Sequence, residues 1–216
     1  MEIARAAARL FVSRGLRATR AEDIAQAAGI APRTFYRYFA TKEESVTPLY
    51  AAGAQRWAQA VRDAPAGLTV PEALEYAVRH TFTPGAGVSA ASWEWVRTLV
   101  RLAGTSPSLG RVWAEVGRTS ERDLAEVLAA RTAAGRDDDG DSDIGDGRDD
   151  GDNVAEGAAV PVSPALRFTA AVAGAAVRVA VESWAAGDAP AGGAEGPAAL
   201  ALRNLAALRD LRWEGW

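Results

Sequence analysis

The chain has no cysteine, so disulfide frameworks, thiol nucleophiles and thiolate metal sites are all excluded. A thiol-free composition is compatible with a reducing cytoplasm, which is where the protein is expected. There is one histidine, His80, so no pair of imidazoles can hold a metal. No nucleophile–base constellation and no phosphate-binding glycine loop is visible, so an enzyme is not expected, and neither is a cofactor or a metal. The N-terminus lacks a basic segment followed by an apolar one, and no apolar run reads as long enough to span a bilayer. Secretion and membrane insertion are therefore not expected. Long β-branched alternations are missing as well, which argues against strands.

Lysine is nearly absent. Of 24 basic residues only Lys42 is lysine, and it stands in TFYRYFATKEE (34–44). The net charge of −4 speaks against a nucleic-acid partner, but its distribution does not. The stretch RDDDGDSDIGDGRDDGDN (136–153) has nine aspartates against two arginines, a local −7 that leaves +3 for the rest. Residues 1–47 have seven arginines and Lys42 against five acids, again +3. The basic excess thus lies in the N-terminal fifth. The aspartate run reads as a low-complexity disordered loop that DNA would repel. It lacks the terminal glutamate of a calcium-binding helix–loop–helix, so a calcium site is not expected.

Alanine and leucine dominate what remains, and the spacing of apolar residues predicts an all-α chain. A first helix is expected over 2–14, with Ile3, Ala6, Ala7, Leu10 and Phe11 on one face and Gly15 as its stop. Thr19 and Glu22 form the pattern of a capping box that opens a second helix, which ends at Gly29. Pro32 opens a short third helix behind Ala31, a poor cap. Thr41 and Glu44 suggest a second capping box and a fourth helix from 41 to about 61. Further helices are expected at about 71–82, 89–103, 107–131, 165–186 and 197–212, with connectors at 84–87 and 187–196. His80 is expected in a core or surface role.

AEDIAQAAGIAPRTFYRYF has the spacing of a helix-turn-helix: Ala25 and Ala28 allow close crossing, Gly29 permits the turn, Ile24 and Ile30 fill the core. With the aromatic cluster and the capped segment behind it, Ile3 to Glu44 resembles the TetR family of bacterial regulators. The resemblance covers about a fifth of the chain. It implies a three-helix DNA-binding domain (1–47) joined to a helical effector-binding and dimerisation domain (48–216). It also implies that helix three enters the major groove of double-stranded DNA. Carried over by position, Arg33 and Thr34 would face bases, and arginine can bond guanine in a bidentate way. Tyr36 and Arg37 would meet the backbone, Thr19 and Arg20 would lie beside phosphate, and Lys42 would hold another phosphate at the start of helix four. Tyr38 and Phe39 are expected in the core. Arg20 and Ala31 depart from the family pattern at their positions. The family's basic N-terminal arm is missing too, so either a minor-groove contact is lost or the native start lies upstream.

Helices 165–186 and 197–212 are the expected dimer pair by resemblance, and a homodimer would read a palindromic operator. WEWVRTLVRLAGTSPSLGRVWAEVGR more loosely resembles the acyl-CoA-like ligand-binding branch of the family. Trp93, Arg97, Arg101 and Trp113 are its candidate ligand residues, with Trp93 and Arg97 one helical turn apart. The expected function is a ligand-released repressor with a fatty acyl-CoA-like or other small hydrophobic effector. The alternative is an activator or architectural protein whose C-terminal body only dimerises. A cavity in the 93–113 region would favour the effector reading, and a solid core the alternative.

Overall fold

The computed structural model describes residues 1–82, 90–139 and 161–209, without the side chains of 90, 91 and 135–139. The expected loop at 84–87 and residues 140–153 of the acidic run lie outside these. The described residues form nine α-helices and one 3-10 turn, with no strand. The helices are α1 (Glu2–Arg14), α2 (Ala21–Ala27), α3 (Pro32–Tyr38), α4 (Thr47–Arg62), α5 (Val70–Phe82), α6 (Ala90–Thr105), α7 (Pro107–Asp139), α8 (Pro164–Ala186) and α9 (Pro197–Arg209); the 3-10 turn covers Glu43–Val46.

Small residues decide the N-terminal packing. Ala4, Ala6, Ala7 and Ala8 of α1 are buried with Phe11, and the four small side chains let α1 approach its neighbours closely. Ile24, Ala25 and Phe35 complete this core together with Val46 and Tyr50. The same cluster runs on into Leu99 and Ala103 of α6 and Leu109 and Val116 of α7. The N-terminal three-helix region and the C-terminal region therefore share one continuous apolar core.

Helix starts differ from expectation in two places. Thr19 is not the cap of α2. Arg20 is, and its amide donates to the Asp23 carboxylate over 2.9 Å, one residue later than the expected pair. Thr19 is fully buried, and its hydroxyl donates to the carbonyl of Gly15 (2.9 Å). Helix four does not start at Thr41. The Glu44 amide does meet the Thr41 hydroxyl, and Glu44 caps the Ala40 amide, but only a 3-10 turn follows. The α-helix begins six residues later at Thr47, where Pro48 supplies the preset dihedral of a first turn.

α7 continues past the expected end at 131 into the first aspartates of the acidic run. α8 packs on α6, α7 and α9 and supplies the alanine- and valine-rich middle of the main C-terminal core. One expectation fails here: α8 has 23 residues and a mean hydropathy of 1.4 in its most apolar stretch, enough by length and composition to cross a membrane. Its packing accounts for that composition. Ala170, Ala173, Val177, Ala180 and Trp184 face the core, while Phe168 and Val179 stand exposed.

Candidate DNA-contact face and effector cavity

Gly29, at φ 68°, ends α2 in the left-handed region that an alanine would resist. The turn closes with Ile30 N–H on the Ala25 carbonyl (2.9 Å). Phe35 is wholly buried and fixes the rotation of α3. Its ring lies 5.5 Å from both Tyr36 and Phe39. With Phe35 inward, Arg33 and Arg37, one turn apart, both project outward. Tyr36 is exposed beside them and Thr34 is half-buried. Arg20 is also exposed, at the start of α2. Six of the seven residues singled out for DNA contact are thus accessible or partly so; Thr19 is not. Tyr38 corrects an expectation: it is 61% exposed, and the Arg37 guanidinium stacks on its ring at 5.0 Å.

The Tyr36 hydroxyl donates to the Glu22 carboxylate (3.1 Å). That bond, with the neighbouring negative charge, holds the phenol pKa above its ordinary value, so Tyr36 stays a donor at neutral pH.

Thr19 and Lys42 are placed differently from expectation. The Thr19 hydroxyl is occupied by protein carbonyls and buried from any phosphate in this conformation. The Lys42 ammonium donates to the carbonyls of Leu16 (2.6 Å) and Thr19 (2.8 Å). It closes the α1–α2 connection from 23 and 26 residues away instead of standing at the open end of a helix.

A cavity of about 180 Å³ lies between α4, α6, α7 and α8. Its walls include Tyr50, Trp57, Trp93, Val100, Trp113 and Val181, with Arg56, Glu121 and Arg178 also in the lining. The Tyr50 hydroxyl donates to the Leu99 carbonyl (2.9 Å), and burial pushes its pKa far up, so it stays neutral. Trp113 donates its indole N–H to Glu182 (2.7 Å), which Arg178 also approaches. The buried indole nitrogens of Trp57 and Trp93 have no hydrogen-bond partner among the described residues.

Trp93 and Trp113 line the cavity as expected; Arg97 and Arg101 do not. Both arginines reach the end of α8 instead. Arg97 donates to the Ala189 carbonyl and stacks 4.4 Å above the Trp184 ring. Arg101 donates to the carbonyls of Ala185 and Gly187 and pairs with Asp188 (2.8 Å). Their charges neutralise the carbonyl end of a helix, not a ligand.

Residues 3–44 match the family described as bacterial regulatory proteins, tetR family. Over 141 residues the chain is 30% identical to the HTH-type transcriptional regulator TcmR of Streptomyces glaucescens, a stretch covering 64% of this chain and 62% of that one. The N-terminal domain is that of the TetR family. A 48-residue stretch is 50% identical to the transcriptional repressor KstR2 of Mycobacterium tuberculosis, covering 22% of this chain and 24% of that one. These alignments span less than two thirds of either relative's length. Among solved structures, the TetR-family repressor FadR of Thermus thermophilus, in complex with lauroyl-CoA, superposes with a TM-score of 0.55 at 20% identity, covering 100% of this chain and 97% of that one. A TetR-family regulator from Rhodococcus sp. gives 0.52 at 16% identity, covering 95% and 96%. At such identity these structures establish the shared all-α TetR fold. Regulators of this family are DNA-binding proteins, not enzymes.

Within this TetR fold, sequence reasoning missed Tyr50, Trp57, Arg56 and Arg178 of the cavity lining. A signal existed for α4. Leu49, Tyr50, Gly53, Ala54 and Trp57 recur at one-turn spacing and all line the cavity. Of metal ligands, no cluster of three occurs among the described residues. His80 stacks on Tyr76 at the surface of α5, with ring centroids 3.9 Å apart.

Proposed function

We propose that the protein is a homodimeric, ligand-released repressor acting in the cytoplasm on a palindromic DNA operator. The observation that carries this is the sharing of α4. One face of that helix lines the cavity, while Val46 and Tyr50 at its start are packed in the core of the DNA-reading helices. A molecule filling the cavity would thus press on an element continuous with α1–α3. Control of this kind requires the effector to prefer one placement of α4 over another.

Arg33 and Thr34 would read bases, and Arg20, Tyr36 and Arg37 would hold phosphates. Tyr36 would exchange Glu22 for phosphate when DNA arrives. The dimer would form through α8 and α9, where the exposed Phe168 and Val179 give α8 an apolar outer side. An apolar effector suits the cavity walls. The lauroyl-CoA bound by the structurally similar FadR supports an acyl-CoA-like molecule as the first to test. The alternative, a C-terminal body that only dimerises, is less well supported because the region around Trp93 and Trp113 is hollow.

The test is fluorescence anisotropy with palindromic duplexes from the DNA flanking the gene, with and without lauroyl-CoA, alongside sedimentation. Two protomers per duplex and release by the acyl-CoA are expected. Failure to bind any specific duplex at low salt would overturn the regulator reading. Unchanged binding across a panel of apolar effectors would overturn ligand control alone.

A further inference from the structure

The cavity has four aromatic side chains with polar hydrogens, Tyr50, Trp57, Trp93 and Trp113. Two are satisfied within the protein: Tyr50 by the Leu99 carbonyl and Trp113 by Glu182. The other two are not. Trp57 and Trp93 are each only 4% exposed, and neither indole N–H has an acceptor among the described residues. A buried donor without a partner is a standing cost that proteins rarely leave in place. Trp57 lies on α4 and Trp93 on α6, so the two donors come from different helices of the wall.

We infer that the part of the effector held in the cavity is an uncharged apolar body bearing one or two acceptor oxygens, a carbonyl or ether, that take the indole hydrogens of Trp57 and Trp93. This rests on the effector-cavity reading above and narrows it. A plain hydrocarbon would fill the volume and leave both donors unmet. A buried carboxylate would have to shed its water with no free cation among the indoles. Of the two lining arginines, Arg178 already faces Glu182, and Arg56 is solvent-exposed, where a carboxylate paired with it would stay hydrated. An acyl thioester qualifies through its carbonyl, and so does a cyclic ketone or aryl ether. Occupation would also tie α4 to α6 through the ligand, because the two donors sit one on each helix.

The experiment uses the full chain and two probes of one shape: tetralin, which has no acceptor, and α-tetralone, which has one carbonyl. Affinities are measured by calorimetry for the wild-type protein, Trp57→Phe and Trp93→Phe. Each substitution keeps an aromatic ring and removes the N–H. Tetralone should lose about three- to tenfold in affinity in at least one variant, while tetralin changes by less than about twofold. In protein labelled with ¹⁵N-tryptophan, the Trp57 or Trp93 indole proton should move downfield with tetralone and not with tetralin. That readout needs only the wild-type fold. Equal losses for both probes, with no downfield shift, would overturn the inference and leave the cavity reading intact. No binding of either probe would overturn the cavity reading and the inference with it.

Discussion

The Lys42 ammonium donates to the main-chain oxygen of Leu16 over 2.6 Å, across 26 residues of sequence. With the second bond to Thr19, it draws two carbonyls of the α1–α2 connection onto one nitrogen. A compact ammonium can serve two converging acceptors at one point, whereas a guanidinium is planar and spreads its donors along a fork. The one lysine of the chain thus has a structural role at this connection.

Lys42→Ala should therefore act on stability. Loss of two hydrogen bonds from a charged, half-buried donor should cost about 1.5–3 kcal/mol, or roughly 4–10 °C in Tm. Thermal melts followed by circular dichroism measure this. Lys42→Arg should recover less than half. The salt dependence of DNA binding should keep its slope in Lys42→Ala, and a slope reduced by about one would return Lys42 to the phosphate contacts.

Arg33 and Tyr36 should separate on DNA. Arg33→Ala should relax the preference at one base pair of each half-site, at about 1–3 kcal/mol against the best sequence. Tyr36→Phe removes only a hydroxyl and should weaken all sequences alike. Selection of bound duplexes from a random pool, repeated for each variant, distinguishes the two patterns.

Much of the fold was legible because its punctuation is local. Gly15, Gly29, Pro32, Ser106–Pro107 and Pro197 sit at the ends of helices, and each acts on its own backbone or the next residue. The errors follow the same logic. Thr19 and Arg20 are neighbours, and the choice of cap between them was settled by Gly15 and Leu10, whose carbonyls capture the threonine hydroxyl. The start of α4 was misread at Thr41 although Pro48 marked the true one. Arg97 and Arg101 have the spacing of a ligand clamp, but their partners lie 84 to 92 residues later at a helix end. No local pattern encodes such a meeting.

Acid should loosen α5 at its first turn. The Thr69 hydroxyl and amide both donate to the Glu72 carboxylate, at 2.7 and 2.9 Å, and hold its pKa below the ordinary value of 4.5. A carboxyl with a depressed folded-state pKa adds stability above its unfolded value. That stability is lost as the pH falls through the folded one. Glu72→Gln should thus melt below the wild type at pH 7, and the two should converge on acidification toward pH 3. A constant gap across that range would show that the charge is irrelevant.

Arg131→Met should be the most damaging exposed-side substitution of α7. The guanidinium donates to the carbonyls of Val61, Ala64, Pro65 and Leu68, at 3.4, 2.7, 2.9 and 3.2 Å. Methionine keeps the stem and loses all four bonds, for an expected cost of about 3 kcal/mol. Denaturant unfolding with an unchanged m-value would report that loss.

The Arg131 clamp also sets a mechanical ratio. It pins α4 at its far end, near Arg62, while the cavity face is centred near Ala54 and the DNA-side end is Thr47. At 1.5 Å per residue those points lie about 12 and 22 Å from the pin. A rigid helix swung about that end moves nearly twice as far at Thr47 as at the cavity. α4 would then be a lever with its fulcrum in Arg131, and under the proposed ligand control a sub-ångström push at the cavity would reach the recognition helices magnified.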